Sequence, residues 1–277
     1  MYFDLHIHTQ ASDGALTAEQ VVDSAVKTGV PGISITDHDT INGLEVALKY
    51  KKDKKLEIDL VPGIEINTDW EKSELHILGY YVDYENTLLK ERLQDIKDAR
   101  YERAVKIVKK LQNLGFAIDL EEVKEKAQGE LIGRPHIAQV LLEKKQVHTI
   151  REAFIRYIGV NTPAYVPRYK FSPFEAIDLI KHSGGTAVLA HPGLVKEQEK
   201  IKLMINHGIE GLEVYYPEHN EVQTRDYFSV CKKYDLAVTG GSDFHGYGDE
   251  KRNTAIGTVG LNEELYKEFQ YRCCRNK

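Results

Sequence analysis

The sequence predicts an α/β fold of the (β/α) barrel class with an all-α insertion. Short apolar runs typical of strands alternate with helix signals through the 277 residues, except in one central stretch that is helical almost throughout. Histidine and carboxylate side chains follow or interrupt most of these runs. Because the C-terminal ends of parallel barrel strands meet at one rim, side chains of one chemistry at many strand ends predict one active site.

Seven strand-like runs alternate with capped helices. The runs are residues 2–5, 32–36, 61–64, 75–80, 186–190, 211–214 and 236–239. The first predicted helix begins at a capping box of Thr17 and Gln20 and ends at Gly29. A later helix begins at a second capping box, formed by Ser172 and Glu175. This order of strands and helices is the one that a β/α barrel needs.

Residues 86–164 break the alternation and predict a helical insertion after the fourth strand. Apolar residues recur there at helical spacing, and Asp119 with Glu122 predicts one of the helix starts. We therefore expect a barrel domain of residues 1–85 and 165–277 with residues 86–164 as a helical domain. The helical domain would either add stability or form a lid over the active site.

Side chains that can bind metal ions accompany the strand-like runs. They are His6, His8, Asp13, His38, Glu65, His76, His191, Asp243 and His245. Alternation along the first strand places His6 and His8 on one face. A lone histidine is usually an ordinary surface residue, but agreement at so many strand ends predicts a shared metal site. Because the set contains imidazole and carboxylate and no cysteine, it suits Mn²⁺, Fe²⁺ or Zn²⁺.

The ligands lie in a series of short motifs. These are FDLHIHTQASDG, ISITDHDT, VPGIEI, LHILGY, AVLAHPG and GGSDFHG. In order and content they resemble the motifs of the polymerase and histidinol phosphatase (PHP) family of metal-dependent phosphoesterases. Many members carry histidine where this chain has Asp13, and the aspartate resembles the subgroup that acts on nucleotides and RNA. The resemblance implies a distorted (β/α)7 barrel with a trinuclear metal centre.

The resemblance also implies how the ligands divide among three divalent ions, with Mn²⁺ favoured and Fe²⁺ or Zn²⁺ as alternatives. One ion would be bound by His6, His8, Glu65 and Asp243, a second by Glu65, His76 and His191, and a third by Asp13, His38 and His245. Glu65 would bridge the first two ions, because a carboxylate has two oxygens. Two ions ~3.5–4 Å apart can stabilise both the attacking and the leaving oxygen of a phosphoryl displacement.

The charge of such a centre indicates its substrate. Three divalent ions bring six positive charges and the carboxylates of Asp13, Glu65 and Asp243 return three, which leaves about +3 at the bare centre. The whole chain has a formal net charge of −6, which argues against attraction to long nucleic acid. We expect a small phosphorylated substrate, either a nucleotide or a short oligonucleotide.

The insertion contains a candidate phosphate-binding segment, Gly133-Arg134-Pro135-His136, at a predicted helix start. A helix N-terminus presents free N–H groups to anions, and an arginine adds a planar fork for bidentate contact with phosphate. A similar Arg-Pro-His occurs in the subgroup that the chain resembles. Arg134 and His136 are therefore predicted to bind and neutralise a phosphate, although an ordinary helix start is the plain alternative.

Three further residues are weaker candidates. Asp37 is predicted to orient His38 or a neighbouring ligand. Lys170 precedes the helix at Ser172 and could bind a second phosphate, or it could be an ordinary loop lysine. His219 follows the predicted strand 211–214 and could reach the substrate from the rim, or it could simply pack in a loop.

The composition predicts a cytoplasmic enzyme with no membrane partner. No apolar run approaches the ~20 residues that span a bilayer. The chain enters a strand by residue 2, which predicts that no signal peptide precedes it. Its three cysteines, Cys231, Cys273 and Cys274, do not form a disulfide framework and suit a reducing compartment. The oligomeric state cannot be read from the sequence.

The function predicted first is a metal-dependent phosphatase of small nucleotides, of the type that removes the 3′-phosphate from a nucleoside 3′,5′-bisphosphate. The alternative is a 5′-to-3′ exonuclease on short RNA or DNA that uses the same site. A histidinol-phosphate phosphatase is disfavoured by Asp13 and by the helical insertion. A non-catalytic binding module is disfavoured because every ligand is present.

Overall fold

A computed structural model of the protein describes residues 2–70, 73–127, 131–246 and 254–275. Seven strands form one sheet and follow chain order across it. They are β1 Asp4–Ile7, β2 Gly32–Ile35, β3 Asp59–Trp70, β4 Ser73–Tyr80, β5 Thr186–Leu189, β6 Gly211–Tyr215 and β7 Ala237–Gly240. A parallel bridge between Ile7 and Phe244 links β1 to the segment after β7, so the sheet curls towards a barrel. The predicted fold class is confirmed.

Helices follow most of the strands. They are α1 Ala18–Thr28, α2 Asn42–Lys54, α3 Thr87–Asn113, α4 Leu120–Lys126, α5 Arg134–Glu143, α6 Ile150–Ala153, α7 Pro173–His182, α8 Glu199–His207, α9 Glu221–Tyr234 and α10 Glu263–Cys274. The predicted capping boxes at Thr17, Asp119 and Ser172 are all present. Gly29 ends α1 in the left-handed region, at φ 72°, where glycine has no steric penalty.

One strand departs from the expected parallel barrel. β4 pairs antiparallel with both β3 and β5, whereas the other neighbouring strands pair parallel. His76 therefore lies within an antiparallel strand and not at the C-terminal end of a parallel one. The physical reason is the short connection, because β3 ends at Trp70 and β4 begins at Ser73. A parallel pair needs a crossover of a dozen or more residues, so these strands can form only a hairpin.

The core of the barrel unit lies on both faces of the curled sheet. One cluster packs the apolar face of α1, including Val21 and Val22, against Ile33 and Ile35 of β2. A second cluster includes Tyr80, Phe269 and Tyr266 and covers the sheet with the last helix. These contacts fix the strand ends from which the polar side chains project.

The chain divides into two compact units, the first formed by Met1–Lys90 with Lys170–Lys277 and the second by Glu91–Tyr169. The second unit has its own apolar core, which joins Ile107 and Leu111 of α3 to Ile137 and Leu141 of α5. The predicted insertion of residues 86–164 falls a few residues before this division, and its role as a lid stays a prediction.

Among the described residues, no helix has both the length and the apolar character needed to cross a membrane. The three cysteines are free, with Cys231 and Cys273 buried and Cys274 exposed. Burial raises the pKa of the Cys231 thiol to about 12, so this thiol is unreactive at neutral pH.

Candidate metal centre

The structure brings the nine predicted ligands together at one rim of the first unit. Glu65 contacts five of the histidines, and His245 joins the cluster through Asp13 and Asp243, whose oxygens lie 3.2 and 3.4 Å from its ring nitrogens. His6 and His8 come from the end of β1, and Asp243 and His245 follow β7. Imidazoles and carboxylates from the first and the last strand of the sheet therefore lie at the same rim.

Glu65 lies at the centre of this cluster and is almost fully buried. Five histidine nitrogens lie within 3.3 Å of its two carboxylate oxygens, those of His6, His8, His38, His76 and His191. The Oε2 atom faces the first three rings, and the Oε1 atom faces the last two. Because its two oxygens point to different sets of ligands, Glu65 has the geometry of a bridging carboxylate.

Three groups of donor atoms lie close enough together to share an ion. They are His8, Asp13, His38 and His245; His6, His8 and Asp243; and His38, Glu65 and His76. His8 and His38 each belong to two of these groups. A neutral imidazole offers only one nitrogen lone pair as a ligand, so each ring can serve one ion. The division among three ions that the resemblance implies is compatible with this geometry and stays a proposal.

The donor atoms fit divalent ions in spacing and in chemistry. Ligands at 2.0–2.2 Å from one ion lie about 3.0–3.6 Å apart, and Nε2 of His8 lies 3.1 Å from Nε2 of His6 and 3.2 Å from Oδ1 of Asp243. Among the described residues, the buried atoms His8 Nδ1, His38 Nδ1 and Glu65 Oε2 have no hydrogen-bond partner. Buried polar atoms rarely stay unsatisfied, and a metal ion would satisfy atoms of this kind.

The carboxylates of the cluster are held in the charged form. Burial alone would raise the pKa of Glu65, but the imidazoles of His38 and His6 hold that pKa well below its usual value. For Asp243, burial is likewise outweighed by His6 and His8, and its pKa also lies well below the usual range. An ionised carboxylate is the form that binds a metal ion.

The backbone at two ligands lies in the left-handed region that non-glycine residues seldom adopt. The φ angle is 29° at His191 and 51° at Asp243. Residues held in such regions cluster at functional sites, because the surrounding structure must compensate for the strain. Gly241 assists the approach of this loop to β1, since a Cβ there would lie 2.4 Å from the backbone nitrogen of His6. Only glycine permits this approach.

Two buried residues that support the ligands were missed in the sequence. Tyr216 donates its hydroxyl hydrogen to Oδ2 of Asp243 over 3.0 Å. Glu213 accepts a hydrogen bond from the backbone N–H of His191 and also contacts the ring of His6. One signal was available: Glu213 is a lone acidic residue in an otherwise uncharged strand, where a buried charge requires a partner.

Asp37 holds a loop of the site. Its carboxylate accepts hydrogen bonds from the backbone N–H and hydroxyl of Thr9, both at 2.7 Å, and from the hydroxyl of Ser12 at 2.6 Å. Ser12 immediately precedes Asp13, and Thr9 begins the same loop. The bonds therefore restrain the loop that carries Asp13, and the predicted role in orienting a ligand applies to this loop more directly than to the ring of His38.

His219 and Lys170 differ in how firmly they are held. The Nδ1 atom of His219 lies 2.9 Å from the carbonyl oxygen of Val214, and its Nε2 atom accepts a hydrogen bond from the N–H of Gly193 at 3.0 Å. Burial lowers the pKa of His219, which favours this neutral ring. A substrate contact would have to displace one of these bonds. Lys170 is exposed in the loop before α7.

In the second unit, Arg134 and His136 lie at the start of α5, as predicted. The Nδ1 atom of His136 accepts a hydrogen bond from the N–H of Gly133 at 3.1 Å, so its proton sits on Nε2 in the neutral ring. The guanidinium of Arg134 lies 5.4 Å from the ring centre of Phe154, and one of its nitrogens lies 3.5 Å from the carbonyl oxygen of Ile158.

Other arginines of the second unit interact with Arg134. The Nε–H of Arg103 donates to the carbonyl oxygen of Val166 at 2.9 Å. Val166 lies two residues before Arg168 in the sequence. Burial, together with the positive charges of Arg134 and Arg168, lowers the pKa of Arg103 to about 10. The half-buried guanidinium of Arg103 is thus repelled by Arg134 and Arg168 within one helical unit, and a bound anion would relieve that repulsion.

The chain was compared with known proteins. Residues 4–160 match the family model of the PHP domain. The chain is 35% identical to the 5′-3′ exoribonuclease Rnm of Escherichia coli (strain K12), with 88% of this chain and 85% of that protein covered. It is 30% identical to the 3′,5′-nucleoside bisphosphate phosphatase of Chromobacterium violaceum, with 95% of this chain and 92% of that protein covered. A solved structure from Bifidobacterium adolescentis, assigned as a metal-dependent phosphoesterase, superposes with a TM-score of 0.84 at 30% identity and covers 98% of this chain and 96% of that one.

Proposed function

The chain belongs to the PHP family of metal-dependent phosphoesterases, and we propose that it releases 5′-mononucleotides from the 5′ end of short oligoribonucleotides. One observation carries this proposal: nitrogens of five histidines lie within 3.3 Å of the buried carboxylate of Glu65, in a chain that is 35% identical to a 5′-3′ exoribonuclease over 88% of its length. The exonuclease, which was the alternative in the sequence analysis, is therefore proposed first, and the nucleotide phosphatase becomes the second candidate.

The second candidate, a nucleoside 3′,5′-bisphosphate phosphatase, is supported by the relative from Chromobacterium violaceum, at 30% identity over 95% of this chain. The two reactions break the same kind of bond. In each, water adds to the phosphorus attached to the 3′ oxygen, the P–O3′ bond breaks, and the 3′ oxygen takes a proton. A 5′-mononucleotide is the product of both, so one site can serve a bisphosphate and a 5′-phosphorylated strand.

The proposed cofactors are three divalent ions, with Mn²⁺ favoured. One ion would be held by His6, His8, Glu65 and Asp243. A second would be held by Glu65, His76 and His191, and a third by Asp13, His38 and His245. When bound, such ions neutralise charge on phosphoryl oxygens and lower the pKa of water to about 7. Because the imidazoles bind as neutral ligands and only three carboxylates return negative charge, the centre with its ions would stay cationic.

We propose that Arg134 and His136 bind the 5′-terminal phosphate of the substrate. The support comes from within the second unit, where the guanidinium of Arg134 and the Nε2–H of His136 lie at the start of α5, the positive end of the helix dipole. The repulsion of Arg103 by Arg134 and Arg168 also favours an anion near these arginines.

Other residues make smaller contributions to the proposal. Lys170 is a candidate contact for a further phosphate, because it is exposed and carries a compact charge. His219 is proposed as a substrate contact only if the bond to Gly193 opens. Asp37 is proposed to hold the loop of Asp13 in place for metal binding. The cytoplasm remains the expected location of this enzyme.

A comparison of substrates in the presence of Mn²⁺ tests the proposal. We expect hydrolysis of a 5′-phosphorylated trinucleotide RNA and of a nucleoside 3′,5′-bisphosphate, with each inhibiting the other because they share one site. The 5′-hydroxyl form of the same RNA should react more slowly, and histidinol phosphate should react least. Preferential hydrolysis of histidinol phosphate would overturn the nucleotide assignment, and independent, non-competing activities would refute the shared site.

A further inference from the structure

Glu213 connects two ligands that belong to different parts of the proposed metal centre. It lies in β6, and its side chain is fully buried. Its Oε1 atom lies 2.8 Å from Nδ1 of His6, and its Oε2 atom accepts the backbone N–H of His191 at 2.7 Å. Glu213 itself is absent from the groups of donor atoms that could share an ion. Both of its carboxylate oxygens contact candidate ligands, one the ring of His6 and the other the backbone of His191.

The contact to His6 determines which ring nitrogen carries the proton. A carboxylate oxygen can only accept, so Nδ1 of His6 must be the donor in this pair. In the neutral ring the other nitrogen, Nε2, then presents its lone pair, and it lies 3.1 Å from Nε2 of His8 and 3.3 Å from Oε2 of Glu65. The ring therefore offers a lone pair to the cluster, which is the form that binds a metal ion.

The contact to His191 restrains a strained backbone. His191 has a φ of 29° and a ψ of 60°, and it begins the short turn Pro192–Leu194. Its N–H would otherwise be a buried donor, and the bond to Glu213 satisfies it in this conformation. The ring of His191 is thereby held with Nε2 3.2 Å from Oε1 of Glu65.

We propose that Glu213 is a positioning residue that sets the tautomer of His6 and the backbone of His191 together, so that both can bind metal ions. Only a carboxylate can do both. A glutamine has one oxygen and one NH₂ group. If its oxygen accepts from His191, its NH₂ donates to Nδ1 of His6 and moves the ring proton to Nε2. If it accepts from His6 instead, two donors face each other at His191.

The test compares Zn²⁺ binding by the full-length wild type, Glu213→Gln and Glu210→Gln, measured by calorimetry and elemental analysis. Glu210 is the matched control, because it precedes β6 and its carboxylate accepts from the N–H of Ala187 at 3.1 Å, outside the cluster. We expect Glu213→Gln to weaken binding of at least one ion by about 10- to 100-fold, as loss of a partner behind a ligand typically does. Glu210→Gln should bind as the wild type does.

Equal Zn²⁺ affinity in Glu213→Gln and the wild type would overturn the proposal. If Glu213→Gln does not fold, a ¹⁵N-histidine NMR spectrum of the Zn²⁺-loaded wild type decides the matter. His6 should carry its proton on Nδ1, and a proton on Nε2 would refute the role of Glu213. The inference depends on the metal centre described under the proposed function, and failure of the wild type to bind Zn²⁺ would refute that centre instead.

Discussion

Oε1 of Glu65 lies 2.9 Å from Nδ1 of His76, although the two residues sit on antiparallel neighbouring strands. β3 runs past the rim and turns back as β4, so His76 reaches the site near the start of its strand. The hairpin thereby places a ligand against Oε1 while ligands from β1 approach Oε2.

Replacing Glu65 by glutamine should remove the bridge. An amide keeps the volume but loses the charge and one acceptor oxygen, so the imidazoles on that side lose their shared partner. We expect bound metal to fall by at least one ion per chain and kcat/KM to fall by more than about a hundredfold, since loss of a residue behind a ligand already costs about 10- to 100-fold. Elemental analysis and a steady-state assay measure the two effects.

Glu19→Gln serves as the control for this change, because Glu19 lies in the first turn of α1 and belongs to none of the candidate metal groups. It should bind metal and turn over substrate as the wild type does. Full metal content together with a near-normal rate in Glu65→Gln would contradict the bridging assignment.

Asp13 should be needed for one ion only. Its oxygens lie 3.2 Å from Nε2 of His245 and 3.8 Å from Nε2 of His38, and its side chain is 44% exposed. Asp13→Ala should therefore leave two ions bound with a reduced rate. The ratio of metal to protein after dialysis measures this. Unchanged stoichiometry and turnover would mean that Asp13 is an ordinary loop carboxylate.

Metal binding should release protons at neutral pH. Burial opposes a charge on His8, but the nearby carboxylates of Asp243 and Glu65 raise the pKa of its ring to about 9. In the same way, Glu65 raises the pKa of His76 to about 10 against the effect of burial. Both raised values lie above pH 7, so without metal these rings are protonated there and an ion must displace the protons.

The apparent affinity should therefore weaken as the pH falls below these pKa values, by about tenfold per pH unit for each displaced proton. Calorimetry in two buffers of different ionisation enthalpy at pH 7.5 counts the protons directly. A binding enthalpy that does not depend on the buffer would show that the rings are already neutral and would contradict this prediction.

Arg134→Ala separates a phosphate contact from a structural role of the helix start. A charge-assisted hydrogen bond contributes about 1.5–3 kcal/mol, so kcat/KM for a 5′-phosphorylated substrate should fall by about ten- to a hundredfold. The loss on p-nitrophenyl phosphate, which has no second phosphate, should be much smaller, with metal content unchanged.

Arg92→Ala is the control, because Arg92 belongs to the same unit and forms an exposed pair with Asp95. This variant should lose little on either substrate. Equal losses on both substrates in Arg134→Ala would place Arg134 at the reacting phosphate. The absence of any loss would return the residue to a structural role.

The clustering of the candidate ligands could be predicted from the sequence because each follows or lies within a strand-like run whose position the apolar pattern indicates. His6 and His8 alternate within a strand, and Asp243 and His245 follow the last one. The direction of β4 was missed, although the short connection after Trp70 rules out a parallel pair. The strand pattern is the same in either direction, and only the length of the connection distinguishes them.

The residues behind the ligands were harder to predict. Glu213 and Tyr216 reach His6, His191 and Asp243 only because distant strands become neighbours in the curled sheet. Hydrophobic periodicity indicates which face a residue occupies but not which polar group of another strand it meets. The same limit applies to the arginines around Arg103, which come from segments far apart in the sequence.

The most direct test of the central claim is the order in which products appear from a 5′-phosphorylated oligoribonucleotide of mixed sequence in Mn²⁺, followed by chromatography and mass spectrometry. The proposed function predicts 5′-mononucleotides that appear in sequence order from the 5′ end, with no internal fragments. It also predicts that no product forms after metal removal with a chelator. Release from the 3′ end, internal cleavage, or undiminished hydrolysis in the metal-free protein would contradict it.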